Sequence, residues 1–506
     1  MVSSLAPLGV ALLGALALAL AFPKFNASAL APIGLIGLFW AWFESSPKRA
    51  FWIGWLAGTV FFAITFAWFG ETAGALIAPF GFVLALGPAL GDGFFGFALV
   101  GALVATIARG LRSPQRAVRA LAPLAAAAAF ALGEWLRSQG LGPISVPFGE
   151  LAYTQAASPL GPIAALCGPF GLTFALAVFG AYVAAALRPE RRRGTLVDAS
   201  AGVLGVLALT AIAWATWAAP HAARATMRVA AIQGNVAQSL KWSPDALGPS
   251  LERYALLTRI AARGRPKLIV WPETVVPTVL NEQPRVERRL GALARSVHAE
   301  LVAGSLLVAG GKSYNVLAFF TPDGGLDALY RKRRLVPFAE RLPFKPLFAW
   351  IPWTRNVSDF SPGDSNGIVP VGPFAIGPTI CWESAFSNLF VGDVQDGATA
   401  FLISTDDAWF GTSAGPYQHA QIAQLRAIET GRWIVRAAST GISGVIAPTG
   451  RYRARSALDQ EAVVLGSIGP PVETLYDRLG GPAIVLLLAA LCAGYLGWLA
   501  VLRARA

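Results

Sequence analysis

The chain of 506 residues carries little charge for its length. Only 14% of its residues are Asp, Glu, Lys or Arg, whereas soluble domains average about 25%. Hydrophobic residues make up 55% of the sequence, and the mean hydropathy is +0.55. This composition excludes a wholly soluble or disordered protein. The net charge of +13 could indicate a nucleic-acid binder, but no basic run is interleaved with stacking aromatics, so we predict no nucleic-acid partner.

Cysteine and histidine are scarce, with three residues of each. A disulfide framework needs paired cysteines in a polar context, and a zinc site needs clustered ligands. Here the residues are scattered, and two of the cysteines lie in long apolar runs: Cys167, Cys381, Cys492, His221, His298 and His419. We therefore predict no structural disulfide, no metal and no cofactor.

Long apolar runs are the dominant feature of the sequence. An α-helix needs about 20 apolar residues to cross a bilayer. Eight runs qualify if isolated charges are tolerated: 4–22, 27–43, 51–70, 80–108, 120–138, 165–187, 199–219 and 481–502. The first run lacks a basic flank and is predicted to be a retained helix rather than a signal peptide. We predict a polytopic α-helical membrane domain of about eight transmembrane helices.

Basic residues in the short loops predict the orientation of these helices. With the N-terminus inside, the inner segments carry twelve Lys or Arg residues, whereas the outer ones carry only Lys24 and Arg137. The segment between the seventh and eighth spans is therefore expected outside the cytoplasm. We predict an N-terminal transmembrane domain at 1–220, an extracytoplasmic catalytic domain at 221–478, and a C-terminal transmembrane helix with a short cytoplasmic tail at 479–506.

The segment 221–478 has the composition of a globular domain, because it holds 27 of the 41 basic and 21 of the 28 acidic residues. Strand-like and helix-like patterns alternate along it, which predicts an α/β fold. Strands are predicted at 227–235, 267–273, 300–309, 314–320 and 374–383, and helices from 243 and near 284–299.

Cys381 is a candidate nucleophile because it lies where an apolar strand gives way to Trp382 and Glu383. A cysteine reacts as its thiolate, so it needs a base to take its proton and a nearby positive charge. The alternative is a small buried hydrophobic residue with no chemical role.

Glu273 and the basic run 331–334 could supply those two groups. Glu273 follows Trp271 and Pro272, and a proline ends the hydrogen bonding of a strand. Partial desolvation by Trp271 is expected to raise the pKa of Glu273 toward a value suited to a general base. Because the basic run abuts an apolar stretch, a cation such as Lys332 could point inward and stabilise an oxyanion. A solvated glutamate and a solvated charged face are the alternatives.

The three candidates occur in one α/β domain in the order Glu, Lys, Cys. The segment 227–470 resembles the nitrilase, or carbon–nitrogen hydrolase, superfamily, and the whole chain with its flanking spans resembles bacterial apolipoprotein N-acyltransferases. The resemblance implies a nitrilase-like αββα sandwich for the α/β domain. The stretches that carry it are VAAIQGNVAQSLKW, VWPET, YRKRRLVPFAE, ICWES and DDAWFGTSAGPYQHAQIAQLRAIETGRWIVRAASTGISGVIAPTG.

The resemblance also implies a role for each matching residue. Glu273 would be the general base, Lys332 the stabiliser of the thiolate and the oxyanion, and Cys381 the nucleophile. Two glutamates and the tryptophan after the nucleophile would support this triad: Glu340 by holding the lysine, Glu383 by supporting the cysteine loop, and Trp382. Two further tryptophans match the substrate-binding region of the family: Trp242 and Trp409.

Three positions depart from the family pattern. Trp382 stands where a tyrosine is common, Ala339 where a glycine is common, and Asp406 where an asparagine is common. None of them belongs to the triad, but Asp406 puts in question any amide hydrogen bond at that position.

The resemblance implies a two-step, ping-pong acyl transfer. Cys381 would take an acyl chain from the sn-1 ester of a phospholipid, expected to be phosphatidylethanolamine, and pass it to the α-amine of the N-terminal S-diacylglyceryl cysteine of an apolipoprotein. It also implies a multi-pass protein of the bacterial inner membrane, with the catalytic domain in the periplasm. We expect a monomer.

The stretch from Phe338 to Trp353, named the aromatic arm, has large apolar residues beside prolines, including Phe344, Phe348 and Trp350. This composition is typical of a segment at a membrane interface. We hypothesise that the arm gates lipid access, and we assign Phe344 to substrate binding. The alternative is a loop that packs on its own domain.

Two other functions are compatible with parts of the sequence. A membrane-tethered amidase of the nitrilase type could use the same triad with water as acceptor, but it would not need eight spans. A transporter with an inert binding domain would need a polar pathway through the spans, for which the sequence offers little. A Ser-His hydrolase would need a G-x-S-x-G turn, and none is evident.

Overall fold

The computed structural model describes residues 2–505 except 71, 73–80, 191–193, 219–225, 242, 244, 352–353 and 356. The chain divides into two compact units. The first comprises Met1–Ala219 and Arg478–Ala506, and the second comprises Pro220–Asp477.

The first unit is helical, and helices lie at each of the eight predicted spans. A short π-helical turn, Phe94–Ala98, joins the helices Gly81–Gly93 and Leu99–Ile107 within one span. In chain order the α-helices of the described residues are α1 (Val2–Leu20), α2 (Leu30–Phe43), α3 (Pro47–Thr65), α4 (Gly81–Gly93), α5 (Leu99–Ile107), α6 (Arg116–Trp135), α7 (Ile163–Ala186), α8 (Thr195–Ala218), α9 (Gln238–Lys241), α10 (Leu247–Ala262), α11 (Pro284–Val297), α12 (Lys345–Phe348), α13 (Ser387–Gln395), α14 (Gly415–Thr430), α15 (Leu475–Leu479) and α16 (Gly481–Ala504).

Within the described residues, five helical segments are long and apolar enough to cross a membrane. They are Leu86–Arg112, Arg116–Gly140, Ile163–Ala186, Thr195–Trp217 and Gly481–Ala504. Two shorter apolar helices, Leu5–Leu20 and Leu30–Phe43, precede them. The helical unit is therefore built as a membrane domain, as the apolar runs predict.

Three charged side chains inside the helical unit, Asp92, Glu134 and Arg137, lie close together. Arg137 is only 1% exposed and lies 3.9 Å from a carboxylate oxygen of Asp92 and 3.8 Å from one of Glu134. Its guanidinium also donates hydrogen bonds to three main-chain carbonyls in the segment 146–149. Because a buried charge is costly unless paired, this cluster ties that loop to the helices rather than exposing charge to lipid.

The second unit contains two six-stranded sheets packed face to face. The strands are β1 (Met227–Gln233), β2 (Leu268–Val270), β3 (Glu300–Ala309), β4 (Lys312–Phe320), β5 (Leu326–Arg331), β6 (Val369–Val371), β7 (Phe374–Ile380), β8 (Ala400–Thr405), β9 (Trp433–Ala438), β10 (Gly444–Ile446), β11 (Tyr452–Arg455) and β12 (Ala462–Ile468). One sheet has the strand order β12-β1-β2-β3-β4-β5 and the other β11-β10-β9-β8-β7-β6.

Three apolar layers hold this sandwich together. The central layer lies between the sheets and includes Val229, Val302 and Leu402. A second layer packs α10 and α11 on the first sheet, and a third packs α13 and α14 on the second sheet. The predicted αββα sandwich is confirmed. Its central strands β2, β8 and β9 are buried on both faces, which explains their nearly continuous apolar sequences.

Several predicted element boundaries are close to the observed ones. The strand predicted at 300–309 is β3, and the helix predicted near 284–299 is α11, which begins at a proline and ends at the left-handed His298. The helix expected from 243 begins later, at Leu247, after the short helix α9. The strand predicted at 314–320 lies within β4, which the turn at 321–325 joins to β5.

Gly304, on β3, lets the loop after β2 lie directly on the sheet. An added Cβ at this position would come within 2.4 Å of the carbonyl oxygen of Pro272 and 2.7 Å of Cα of Glu273. Both neighbours are main-chain atoms, so they cannot yield as a flexible side chain would. A glycine is therefore required for the close approach of the segment that carries Glu273.

We predict that Gly304→Ala lowers the free energy of unfolding by about 1–3 kcal/mol, because overpacking a rigid site forces backbone shifts. Thermal unfolding of the full-length protein in detergent measures the loss. Gly392→Ala on α13 is the matched control, because its added Cβ meets nothing within 4 Å. Equal destabilisation in the two variants would contradict the close approach.

Candidate active site

Glu273 lies two residues beyond the Trp271 that follows β2, and its side chain is only 5% exposed. One carboxylate oxygen, Oε1, accepts hydrogen bonds from Lys332 Nζ at 3.0 Å and Asn315 Nδ2 at 2.7 Å. The other, Oε2, accepts one from the main-chain N–H of Asp406 at 3.0 Å. The carboxylate therefore has a donor on each oxygen, which favours its ionised form.

Lys332 follows β5 directly, and its side chain is 1% exposed. Its ammonium lies 3.0 Å from Oε1 of Glu273 and 2.9 Å from Oε1 of Glu340. Asn315, on β4, donates to both of these carboxylate oxygens. A buried cation between two carboxylates is held in one position and keeps its charge.

The pKa of Glu273 lies below its usual range, and the prediction of a raised pKa is wrong. Burial does raise it, but the charges of Lys332 and Lys241 and the hydrogen bonds to the carboxylate outweigh that effect. Trp271, which was expected to desolvate the carboxylate, instead packs in the layer beneath the helices. There its indole donates to Thr258 Oγ1 at 2.8 Å.

Cys381 is the first residue after β7 and adopts a left-handed backbone conformation, with φ +51°. Such a conformation is uncommon for a residue other than glycine and often marks a functional site. A short 3-10 turn, Cys381–Ala385, follows and leads into α13. This strand-turn-helix arrangement presents the half-buried thiol at the end of the strand.

The charges of Glu273 and Lys332 have opposite effects on the pKa of the Cys381 thiol. Burial and the negative charge of Glu273 raise the pKa of Cys381 well above its usual range, whereas Lys332 opposes them. Burial lowers the pKa of Lys332, but its carboxylate neighbours outweigh that effect and raise it well above its usual range. The resting site therefore holds a protonated thiol, an ionised carboxylate and an ammonium, so a base stands ready for the thiol proton.

Glu383 joins the loop after β7 to the loop after β5. Its Oε2 accepts hydrogen bonds from Ile380 N–H and the hydroxyl of Tyr330, both at 2.7 Å. Its Oε1 accepts from the main-chain N–H groups of Arg333 at 2.6 Å and Arg334 at 3.0 Å. One fully buried carboxylate therefore holds the chain on either side of the cysteine and the lysine.

The other predicted site residues lie at varied positions. Glu340 contacts the lysine, as described, and also accepts from Val336 N–H at 2.8 Å. Trp382 is buried, with its ring centroid 6.4 Å from that of Phe386. Three remain: Trp409 is half-buried in the turn after β8, Phe344 is 53% exposed, and Trp242 lies outside the described residues.

A buried network behind the cysteine was missed by sequence reasoning. His419 on α14 has Nδ1 2.9 Å from Asp407 and Nε2 3.1 Å from the carbonyl oxygen of Cys381. Arg436 on β9 donates to the other oxygen of Asp407 at 2.6 Å. Burial raises the pKa of Asp407, but Arg436 and His419 outweigh it and bring it to about 2. Scattered histidines alone gave no signal for this network.

Asn315 and Lys241 were also missed, because each is one polar residue in an otherwise ordinary element.

Among the described residues, no group of three His, Cys, Asp or Glu side chains is placed to hold a metal ion. The chemistry available is therefore that of a thiol, a carboxylate and an ammonium at the strand ends of an αββα sandwich. That combination defines a carbon–nitrogen hydrolase domain, here joined to a helical unit.

Comparisons with known proteins agree with this class and extend it to the whole chain. Residues 228–474 match the family model for carbon-nitrogen hydrolases, and residues 14–182 match that for the apolipoprotein N-acyltransferase N-terminal domain. The apolipoprotein N-acyltransferase of Azotobacter vinelandii is 34% identical, over 96% of this chain and 93% of its own. That of Methylococcus capsulatus is 32% identical, over 96% and 94%. The chain belongs to the apolipoprotein N-acyltransferase family.

A solved structure, that of Saccharomyces cerevisiae Nit3, a nitrilase-superfamily member, matches 51% of this chain and 94% of its own. The TM-score is 0.39 and the sequence identity 21%. The full-length relatives match the helical region as well as the catalytic domain, so the tethered amidase is the less supported alternative.

We predict that Glu383→Gln destabilises the catalytic domain by about 1–3 kcal/mol, because an amide cannot accept all four hydrogen bonds and a buried donor is left unpaired. Thermal unfolding of the full-length protein measures the effect. Glu282→Gln, at an exposed position, is the control and should leave the unfolding temperature unchanged. A stability of Glu383→Gln equal to that of the control would count against the bridging role.

Proposed function

We propose that this protein moves an acyl chain from a membrane phospholipid, through a thioester at Cys381, to the α-amine of the N-terminal S-diacylglyceryl cysteine of an apolipoprotein. The observation that carries the proposal is the buried ion pair of Glu273 and Lys332, whose charges both act on the thiol. Membership of the family supports the substrate class, because its relatives are named apolipoprotein N-acyltransferases.

In the first step, the Glu273 carboxylate takes the proton of the Cys381 thiol, and the thiolate attacks the sn-1 ester carbonyl. The ammonium of Lys332 stabilises the oxyanion of the tetrahedral intermediate. Collapse breaks the ester C–O bond, and Glu273 gives the proton to the leaving glycerol oxygen. A lysophospholipid leaves, and the acyl chain stays on sulfur.

In the second step, the α-amine of the acceptor attacks the thioester carbonyl. Glu273 takes a proton from the nitrogen, Lys332 again stabilises the oxyanion, and collapse breaks the C–S bond. The proton returns from Glu273 to the released sulfur of Cys381, so the resting charges are restored. One base thus serves both half-reactions. Because the lysophospholipid leaves before the acceptor attacks the acyl-enzyme, the kinetics should be ping-pong.

The membrane supplies one substrate and anchors the other. Five long apolar helices support a multi-pass protein, and the excess of basic residues in the inner loops supports a catalytic domain at 221–478 on the periplasmic side of the inner membrane. The segments 1–220 and 479–506 would then hold the transmembrane helices. We propose phosphatidylethanolamine as donor and a monomer as the working form.

The acyl-enzyme is the intermediate that tests this proposal. We expect that the purified protein, incubated with phosphatidylethanolamine and no acceptor, carries an acyl chain on the Cys381 peptide in mass spectrometry. A diacylglyceryl-cysteine peptide should then discharge it. Cys381→Ala should give no adduct, and Glu273→Gln should slow its formation at least 100-fold, within the range of lost general-base catalysis.

A folded protein that forms no adduct with any of several phospholipids would overturn the acyltransferase proposal. An adduct that water discharges as fast as the acceptor peptide does would instead favour hydrolysis.

The exposure of the aromatic arm favours a gate for lipid over a loop that packs on its own domain. Phe344 is 53% exposed, Leu347 66% and Trp350 78%, so much of its apolar surface faces outward. Phe348 turns inward, with its ring 5.4 Å from that of Phe338. The last residue of the arm, Trp353, lies outside the described residues.

Replacing Phe344, Phe348 and Trp350 together by serine should reduce the rate of acyl-enzyme formation from phospholipid vesicles about tenfold or more. Alkylation of Cys381 by iodoacetamide should stay unchanged, because a small soluble probe needs no lipid gate. Leu256→Ser, at a position 55% exposed on α10, is the matched control and should change neither rate. Unchanged acylation in the triple variant would sink the gating hypothesis.

A further inference from the structure

A second lysine lies beside the general base. Lys241 ends the short helix α9, and its side chain is 4% exposed. Its ammonium donates to the main-chain carbonyl of Glu273 at 3.0 Å and lies 2.5 Å from Oδ2 of Asp406. A buried ammonium so close to Glu273 affects the protonation of that carboxylate as well as its position, since Coulomb interactions are strong where water is excluded.

Asp406 completes a closed ring of interactions around Glu273. It follows β8, and its main-chain N–H donates to Oε2 of Glu273 at 3.0 Å. Its side chain binds Lys241, and Lys241 returns to the main chain of Glu273. The ring therefore ties the carboxylate of the base to its own backbone through two other segments of the chain. Ser439 donates to the remaining oxygen of Asp406 and keeps that side chain in place.

We propose that Lys241 and Asp406 are a positioning pair for the general base, and that each is tolerated in the site because it cancels the charge of the other. This inference rests on the proposed role of Glu273 as base. In the proposed reaction the pair acts through Glu273, which both residues contact.

The departure of Asp406 from the asparagine common in the family fits this role. The hydrogen bond to the carboxylate of Glu273 comes from the main chain of residue 406, so it does not depend on the side-chain amide. What the aspartate adds is a negative charge next to Lys241. An asparagine here would remove that negative charge, while the positive charge of Lys241 would stay close to the base.

Several charged or titratable groups in the described part of the chain contribute to the net charge around Glu273. Lys332 and Glu340 come from beyond β5, Lys241 from α9, Asp406 from beyond β8, and the thiol of Cys381 from beyond β7. The neighbouring carboxylate, Asp407, is already paired with Arg436 and His419. Removing the charge of either Lys241 or Asp406 therefore changes the net charge near Glu273 and Cys381 by one unit.

The two single substitutions should shift the pH at which Cys381 becomes reactive in opposite directions. Asp406→Asn leaves an extra positive charge, which favours ionised groups, so the pH at which Cys381 becomes reactive should fall. Lys241→Met leaves an extra negative charge, so that pH should rise. Each shift should be about 1 pH unit, the lower end of the effect of a nearby charge, because the pair acts through Glu273. The double variant should return to within about half a pH unit of the wild type.

The test measures the rate of alkylation of Cys381 by iodoacetamide between pH 5 and pH 10, read on its own peptide by mass spectrometry. The full-length protein is used in detergent, and thermal unfolding confirms that each variant is folded. Asp477→Asn breaks another buried ion pair of the same domain, with Arg432 at 2.6 Å, and serves as the control without a shift. If Lys241→Met fails to fold, Asp406→Asn and Lys241→Gln decide the signs.

Shifts of opposite sign that cancel in the double variant would establish the pair. Shifts of the same sign, no shift beyond the control, or a double variant shifted further than either single variant would overturn it. Because the probe is iodoacetamide rather than phospholipid, this result does not depend on acyl transfer. A missing acyl-enzyme would then count against the proposed function and leave the pairing result standing.

Discussion

The structure of the catalytic domain depends on one constraint, which is that ionised side chains taken out of water must be matched by opposite charges and hydrogen-bond donors. Glu273 and Lys332 meet it by facing each other at 3.0 Å, with Asn315 and Glu340 completing the arrangement. Glu273 follows β2 and Lys332 follows β5, so the ion pair can form only when both halves of the first sheet are in register. Chemistry and folding thus require the same geometry.

Much of this arrangement could be predicted from the sequence, because it depends on local signals. A proline marks the end of the strand before Glu273, and apolar runs mark β3 and β7. Residues brought in from distant segments carried no such signal. Lys241 and His419 each stand alone in the sequence, and only the fold brings them within 3.1 Å of the main chain of Glu273 and Cys381. The expected rise in the pKa of Glu273 is wrong in part for this reason, because Lys332 opposes the effect of burial together with Lys241 and Asn315, which gave no signal in the sequence.

The buried cations Arg137, in the helical unit, and Lys332, in the catalytic domain, are held in different ways. In the helical unit, Arg137 is taken up mainly by main-chain carbonyls, and its carboxylate neighbours lie nearly 4 Å away. In the catalytic domain, the side chains pair at hydrogen-bonding distance, as Lys332 does with two carboxylates. Carbonyl groups hold a cation without a proton to exchange, which suits a structural cluster. Paired acids and bases keep protons mobile, which suits a site that must move them.

The pairing of the first and last strands has a consequence for biosynthesis. In the catalytic domain β1 lies antiparallel to β12, with Met227 opposite Ile468, so the two ends of the domain are neighbours although nearly its whole length separates them. A nascent chain cannot close this sheet until the ribosome has made its final strand, and α16 follows shortly after. Until then β1 lacks its partner on one side, and an unpaired strand edge is a template for pairing with another chain, so the unfinished domain is prone to aggregation.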